Sequence, residues 1–105
     1  METSKIILDI IKSVVGNYLI DAEVMLFGSR ARIDSNMESD FDILIVTSMD
    51  LSHQEKTPLR TQIRKDLLRD GVRSDILIQS KKEIERKKKL PGHFIRNILK
   101  EAVIL

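Results

Sequence analysis

The chain has 105 residues, of which 18 are Lys or Arg and 16 are Asp or Glu, and its net charge is +2. This mixed charge excludes the one-signed field of a dedicated nucleic-acid-binding protein, so nucleic acid is an allowed but not a favoured partner. The absence of Cys excludes disulfides and thiolate metal sites. The length fits one domain, residues 1–105, with no room for a second substrate-binding lobe, so anything the protein acts on is expected to dock from outside.

Hydropathy gives no sign of a membrane protein. No apolar run approaches the roughly 20 residues of a membrane span, and the N-terminal residues lack the apolar core of a signal peptide. We therefore expect a soluble, cytoplasmic protein with no membrane partner. The chain has only three Phe and one Tyr, which argues against aromatic platforms for single-stranded nucleic acid.

The first half of the chain predicts one helix and two strands. Ile and Val recur at helical spacing through residues 6–15, after Thr3 or Ser4 as a cap and before Gly16 near the end. Residues 23–27 and 42–46 are short apolar runs typical of buried strands in the centre of a sheet. Gly28 closes the first run, as expected where a strand leads into a tight turn. The direction in which the second strand returns stays open.

The second half predicts a helix, a strand and two further helices. A four-residue apolar repeat predicts a helix with Pro58 in its first turn and Gly71 at its end. Residues 75–78 repeat the Asp-Ile-Leu-Ile of residues 42–45 and predict a third strand. Ser80 is expected to cap a charged helix at residues 81–89, which residues 91–92 break. The last helix is expected to turn these side chains inward: Phe94, Ile95, Ile98, Leu99, Ala102 and Val103.

The order of these elements predicts how three carboxylates are arranged. A strand–helix–strand unit is normally parallel, so Asp42 and Asp75 become neighbours about 4.8 Å apart if the repeated segments are in step. Asp40 and Asp42 are two residues apart on an extended chain and share a face. The predicted fold class is α/β (α+β), with a small mixed sheet and flanking helices packed mainly on one face. Three carboxylates are expected to converge at its edge.

This constellation points to nucleotide chemistry. Three close carboxylates repel one another unless cations such as one or two Mg²⁺ ions neutralise them, and Mg²⁺ commonly completes its shell with substrate phosphate. Gly28 allows close approach to a phosphate, and Ser29 can cap a short helix whose N-terminus attracts anions. Arg30 and Arg32 would add charged contacts to the phosphates. The reaction class implied is nucleotidyl transfer from a nucleoside triphosphate, with pyrophosphate leaving.

A family resemblance rests on two motifs and one later residue: the run Gly-Ser-Arg-Ala-Arg at 28–32, the run Ser-Asp-Phe-Asp at 39–42, and Asp75 before an apolar strand. This pattern resembles the nucleotidyltransferases of the DNA polymerase β superfamily and, more narrowly, the minimal nucleotidyltransferases (MNT proteins). The resemblance implies a polymerase β-like core in which Asp40 and Asp42 bind metal. It also implies that Asp75 helps to hold the catalytic metal and takes the proton of the acceptor hydroxyl.

The same resemblance implies a partner. Several minimal nucleotidyltransferases are encoded beside a HEPN-domain ribonuclease toxin and act as its antitoxin by adding AMP to a tyrosine. We therefore expect an Mg²⁺-dependent transfer of AMP from ATP to a hydroxyl of a HEPN-type partner protein. The alternatives are a non-catalytic antitoxin that masks its partner, and transfer to a small molecule or RNA end within a two-subunit complex. The sequence fixes neither the acceptor nor the base of the nucleotide.

Several residues also have plain structural interpretations. Asp66 and Asp70 are rivals of Asp75 for the third carboxylate. The basic run at residues 86–89 is expected to be a solvated helix face with Glu83–Lys87 and Glu85–Lys89 ion pairs, with partner or RNA binding as the alternative. The apolar tail at residues 102–105 is a candidate contact surface for a partner or a second copy.

Overall fold

The computed structural model describes residues 2–28 and 40–105. Within these residues, four helices and four strands follow one another along the chain. In chain order they are α1 (Glu2–Tyr18), β1 (Glu23–Phe27), β2 (Phe41–Thr47), α2 (His53–Arg69), β3 (Ser74–Ser80), α3 (Lys81–Lys87), α4 (Phe94–Glu101) and β4 (Val103–Ile104). None of the helices in this part of the chain has the length and apolar character needed to cross a bilayer.

The strands form one mixed sheet in the order β3-β2-β1-β4. β2 and β3 are parallel and are joined through α2, as predicted from the strand–helix–strand order. β1 is antiparallel to both of its neighbours, which settles the direction that the sequence left open. The mixed α+β fold is thus confirmed.

Apolar side chains bury both faces of the sheet. One face packs against α1 and α2, and the other against α3 and α4. The expectation that the helices lie mainly on one face is therefore wrong. The reason lies in β2, whose residues Ile43, Leu44, Ile45 and Val46 are all buried: alternate side chains point to opposite faces, so both faces need a cover. The central members of the two faces are Ile11, Val15, Ile63 and Leu67 on the first, and Ile84, Ile95 and Ile98 on the second.

The ends of α1 and α2 differ from the sequence expectations at the N-terminal side. α1 begins one residue before Thr3, so neither Thr3 nor Ser4 is its cap. α2 is capped by Ser52, whose side chain accepts from a backbone N–H of the first turn, and Pro58 lies inside the helix rather than in its first turn. Gly71 ends α2 as predicted and has a φ of 82°. Its N–H donates to the carbonyl of Leu68, and the N–H of Val72 donates to the carbonyl of Leu67. This is the Schellman arrangement.

α3 and α4 cover the second face and lead into the last strand. Ser80 caps α3 as predicted, and the structure adds a capping box with Glu83. α3 already ends at Lys87, before the predicted end at residue 89. α4 ends at Glu101, and Val103 pairs with β1 as part of β4 instead of extending the helix inward. A β-branched pair followed by an apolar residue favours this extended strand, and the N–H of Leu105 donates to the carbonyl of Val24 at 2.9 Å.

Candidate active site

Two aspartates face each other at the edge where β2 and β3 begin. The parallel register pairs Asp42 with Asp75, and the antiparallel register pairs Asp42 with Phe27 at the end of β1. The predicted register of the repeated Asp-Ile-Leu-Ile segments is confirmed. Because side chains alternate along a strand, Asp42 lies on the same sheet face as Leu44, and Asp75 on the same face as Leu77. Both aspartates therefore belong to the face covered by α3 and α4, at its open end.

Gly28 brings the end of β1 directly against Asp42. Its φ is 71°, a conformation that L side chains rarely adopt. A Cβ at this position would lie 3.1 Å from Cγ of Asp42 and would overlap one of its carboxylate oxygens. The position therefore needs glycine for two separate reasons, one in its own backbone and one in the space occupied by Asp42.

The Asp42 carboxylate lies in an unfavourable electrostatic environment. Burial raises the pKa of Asp42, and the neighbouring charges of Asp75 and Asp40 raise it further. Among residues 2–28 and 40–105, no hydrogen bond or ion pair reaches the Asp42 side chain. A half-buried carboxylate whose charged neighbours are themselves carboxylates is stabilised when a cation joins it.

Asp40 is placed differently from its two neighbours. It precedes β2 and is exposed, and its Oδ1 lies 3.6 Å from Nε of Arg73 in an ion pair. The backbone joins the same two segments, since the N–H of Phe41 donates to the carbonyl of Arg73 at 2.9 Å. Sequence reasoning missed Arg73, although its position two residues before Asp75 on an extended segment was a usable signal.

The geometry can be set beside known proteins. The chain matches the family described as "Nucleotidyltransferase domain" over residues 5–105. The chain belongs to this family. It is also 37% identical over 83 residues to a protein of Methanocaldococcus jannaschii named "Putative protein adenylyltransferase", an alignment that covers 79% of this chain and 76% of the relative. The protein is thus a nucleotidyltransferase, and the enzyme class expected from the sequence is confirmed.

The donor set of this nucleotidyltransferase suits a hard cation such as Mg²⁺. Within the described ranges, no three acidic or histidine side chains form a cluster that could hold a metal ion as it stands. The three aspartates interact electrostatically without being gathered into such a cluster. Mg²⁺ needs fewer protein ligands than such a cluster provides, because it is usually held by one or two carboxylates and completed by water and substrate phosphates. Asp42 and Asp75, which are adjacent in register, fit this number of carboxylate ligands.

The predicted phosphate-binding residues of the nucleotidyltransferase are described only in part. Gly28 lies at the site, whereas Ser29, Arg30 and Arg32 fall within residues 29–39, outside the described residues. Their contact with phosphate stays a prediction.

The two rivals of Asp75 have structural partners elsewhere. Asp66 accepts hydrogen bonds from Tyr18 and Gln62, so it links α2 to α1. Asp70 is the C-cap of α2. Neither residue lies in β3, and of the three candidates only Asp75 is paired in register with Asp42.

Proposed function

We propose that this nucleotidyltransferase moves AMP from ATP to a hydroxyl group of a partner protein and uses Mg²⁺ to do so. The observation that carries the proposal is the register pair of Asp42 and Asp75, in which Asp42 is half-buried and has no cationic partner among the described residues. The name of the relative from Methanocaldococcus jannaschii supports a protein as the acceptor.

The proposed reaction assigns a role to each residue of the site. Asp42 and Asp75 would hold Mg²⁺ together with Asp40, and the bound ion would neutralise charge on the α-phosphate and the leaving pyrophosphate. The turn that begins at Gly28 would bring Ser29, Arg30 and Arg32 to the β- and γ-phosphates.

The transfer itself is an in-line displacement. The oxygen of the acceptor hydroxyl bonds to the α-phosphorus, and the bond from that phosphorus to the oxygen bridging to the β-phosphate breaks. Asp75 takes the hydroxyl proton, and the departing electron pair leaves with pyrophosphate.

The partner we propose is a HEPN-type ribonuclease toxin, for which this protein would be the antitoxin. The proposal rests on the resemblance of the glycine-serine turn and the paired aspartates to those of minimal nucleotidyltransferases. Adding AMP to a tyrosine hydroxyl of the toxin would place a charged group on it and silence it.

Two labels on ATP test the reaction class. With Mg²⁺ and the partner protein, label in the α-phosphate should become attached to the partner, and label in the γ-phosphate should not. Asp75→Asn should remove the transfer, whereas the matched control Asp70→Asn should retain it, because Asp70 is the C-cap of α2, borders a groove along α1 and is not paired in register with Asp42. Transfer of the γ-label, or equal losses in the two variants, would contradict the proposal.

A second experiment separates catalysis from masking. The double variant Asp40→Ala and Asp42→Ala should lose the ability to neutralise the toxin while still binding it in a pull-down. Neutralisation that survives the double change would show that the protein acts by covering its partner. Label that moves to a small molecule or an RNA end in the presence of the partner would identify a different acceptor.

A further inference from the structure

α3 and the turn that follows it expose a row of cations. Lys81, Lys82, Arg86 and Lys89 lie around an open groove of about 470 Å³, together with Glu85. We call these four cations the α3 basic face. At the helical rise they extend over about 12 Å, which is the length of three to four stacked nucleotides at about 3.4 Å each.

The acidic residues of α3 neutralise other groups. Glu83 is bound through both carboxylate oxygens by Nζ of Lys56, each at 2.8 Å. Glu85 pairs with Lys88 at 2.6 Å. The predicted Glu83–Lys87 and Glu85–Lys89 ion pairs are therefore wrong. Lys56 reaches Glu83 from α2, a contact between distant segments that helical spacing does not show.

The α3 basic face therefore keeps most of its charge, although Glu85 lines the same groove. Nζ of Lys82 lies 3.9 Å from Oδ2 of Asp50, at the outer limit of an ion pair, and both side chains are largely exposed. Lys89 is close enough to Glu85 to help lower the pKa of that carboxyl. In the segments 2–28 and 40–105, no hydrogen bond or ion pair is made by Lys81, Arg86 or Lys89. If the charged side chains of α3 neutralised one another, these three cations would be expected to form ion pairs.

An aromatic pair follows the basic face along the chain. Two tight turns, closed by hydrogen bonds from Leu90 to Lys87 and from His93 to Leu90, lead from α3 to α4. The rings of His93 and Phe94 are stacked, with centroids 4.7 Å apart and planes 25° apart. His93 is fixed in place because its Nδ1 accepts the N–H of Ile95. Phe94 is 51% exposed, so the expectation that it points inward is wrong. Such exposure is unusual for a large apolar ring.

We propose that the α3 basic face and Phe94 together bind a single-stranded nucleic acid, with phosphates along α3 and a base stacked on the Phe94 ring. Cations along a track and exposed aromatic faces are the two elements of such sites. An acidic peptide would use the cations but would leave the ring without a partner, and the bases of a duplex are already stacked inside it. The aromatic count of the sequence argued against this activity, but a single exposed ring is sufficient for one stacking contact.

This surface does not depend on the transfer reaction. It lies outside the Asp42–Asp75 pair, and its residues play no part in the proposed chemistry. The two proposals can therefore fail separately.

Fluorescence anisotropy with labelled oligonucleotides tests the electrostatic half. The probes are a short single-stranded RNA, the same sequence as DNA, and a duplex of that sequence. Four phosphate contacts predict a slope of about −2.8 for the logarithm of affinity against the logarithm of salt concentration, and Arg86→Ala with Lys89→Ala should reduce its magnitude by about 1.4. The matched control is Arg64→Ala with Lys65→Ala, which removes the same charge from exposed positions of α2. It should leave the slope unchanged.

Replacement of the aromatic ring tests the stacking half. Phe94→Ala should weaken single-strand binding on the order of 5- to 100-fold without changing the salt slope, and Phe94→Tyr should restore it. Circular dichroism checks that the variants remain folded. Binding of either single strand supports the proposal, and the ratio of the RNA and DNA affinities shows which is preferred. Competition by poly-glutamate or duplex as strong as by the single strand would overturn it, as would an unchanged affinity in Phe94→Ala.

Discussion

Replacing Gly28 by Ala should damage the site more than it damages the fold. The φ of 71° places an Ala in the left-handed region, which costs roughly 1–2 kcal/mol. The new Cβ would also overlap the Asp42 carboxylate, so that side chain must move away from its place opposite Asp75. A displacement of even about 1 Å at a catalytic group can cost on the order of 100-fold in rate.

Gly71 provides a matched control for this prediction. Its φ of 82° is similar, but a Cβ there would meet no atom within 4 Å. Gly71→Ala should therefore lose the same 1–2 kcal/mol of backbone energy, or about 4–16 °C in Tm for a domain of this size, and keep full transfer activity.

Urea unfolding and the labelled-ATP assay check the comparison together. Gly28→Ala should lose at least as much stability as Gly71→Ala and should also lose about 100-fold in activity. Retained activity in Gly28→Ala, or an equal loss of activity in the two variants, would refute the argument that this glycine makes room for Asp42.

Two further predictions concern the link between α2 and α3. Lys56→Met should lower the free energy of unfolding by about 2–3 kcal/mol. This is below the usual range for a broken buried ion pair, because Glu83 keeps some contact with water. Urea unfolding measures the loss, and a value under about 0.5 kcal/mol would contradict a stabilising role of the pair. Burial opposes ionisation of Glu83, but hydrogen bonds from Lys56 and the backbone of Ser80, together with nearby Lys charges, outweigh it and hold its pKa below the ordinary 4.5. The ionised form therefore adds stability above about pH 4.5, and this is lost as the pH falls through the folded-state pKa. Glu83→Gln should flatten this acid-side loss in thermal unfolding, and an unchanged acid limb would show that another carboxylate is responsible.

The central sheet could be predicted from the sequence because its signals are local. The repeated Asp-Ile-Leu-Ile segments fixed two strands, and the intervening helix made them parallel, so the pairing of Asp42 with Asp75 followed. Gly28 was likewise visible as the end of an apolar run.

The features that were missed depend on contacts between distant segments. The Lys56–Glu83 pair joins residues 27 positions apart, and the Asp40–Arg73 pair depends on how two strands enter the sheet. Val103 was assigned to a helix because its spacing continues the apolar pattern of α4, and only the free edge of β1 explains its extended conformation. Such choices are decided by tertiary packing, which overrides weak local preference.

Calorimetric titration of ATP with and without Mg²⁺ tests the central claim most directly. The wild-type protein should bind ATP at least about tenfold more tightly when Mg²⁺ is present, since the ion relieves the repulsion between the aspartates and the phosphates. In Asp42→Asn with Asp75→Asn, this dependence on Mg²⁺ should disappear. A double variant that binds ATP with the same Mg²⁺ dependence as the wild type would contradict the assignment of the nucleotide and metal site to this pair of aspartates.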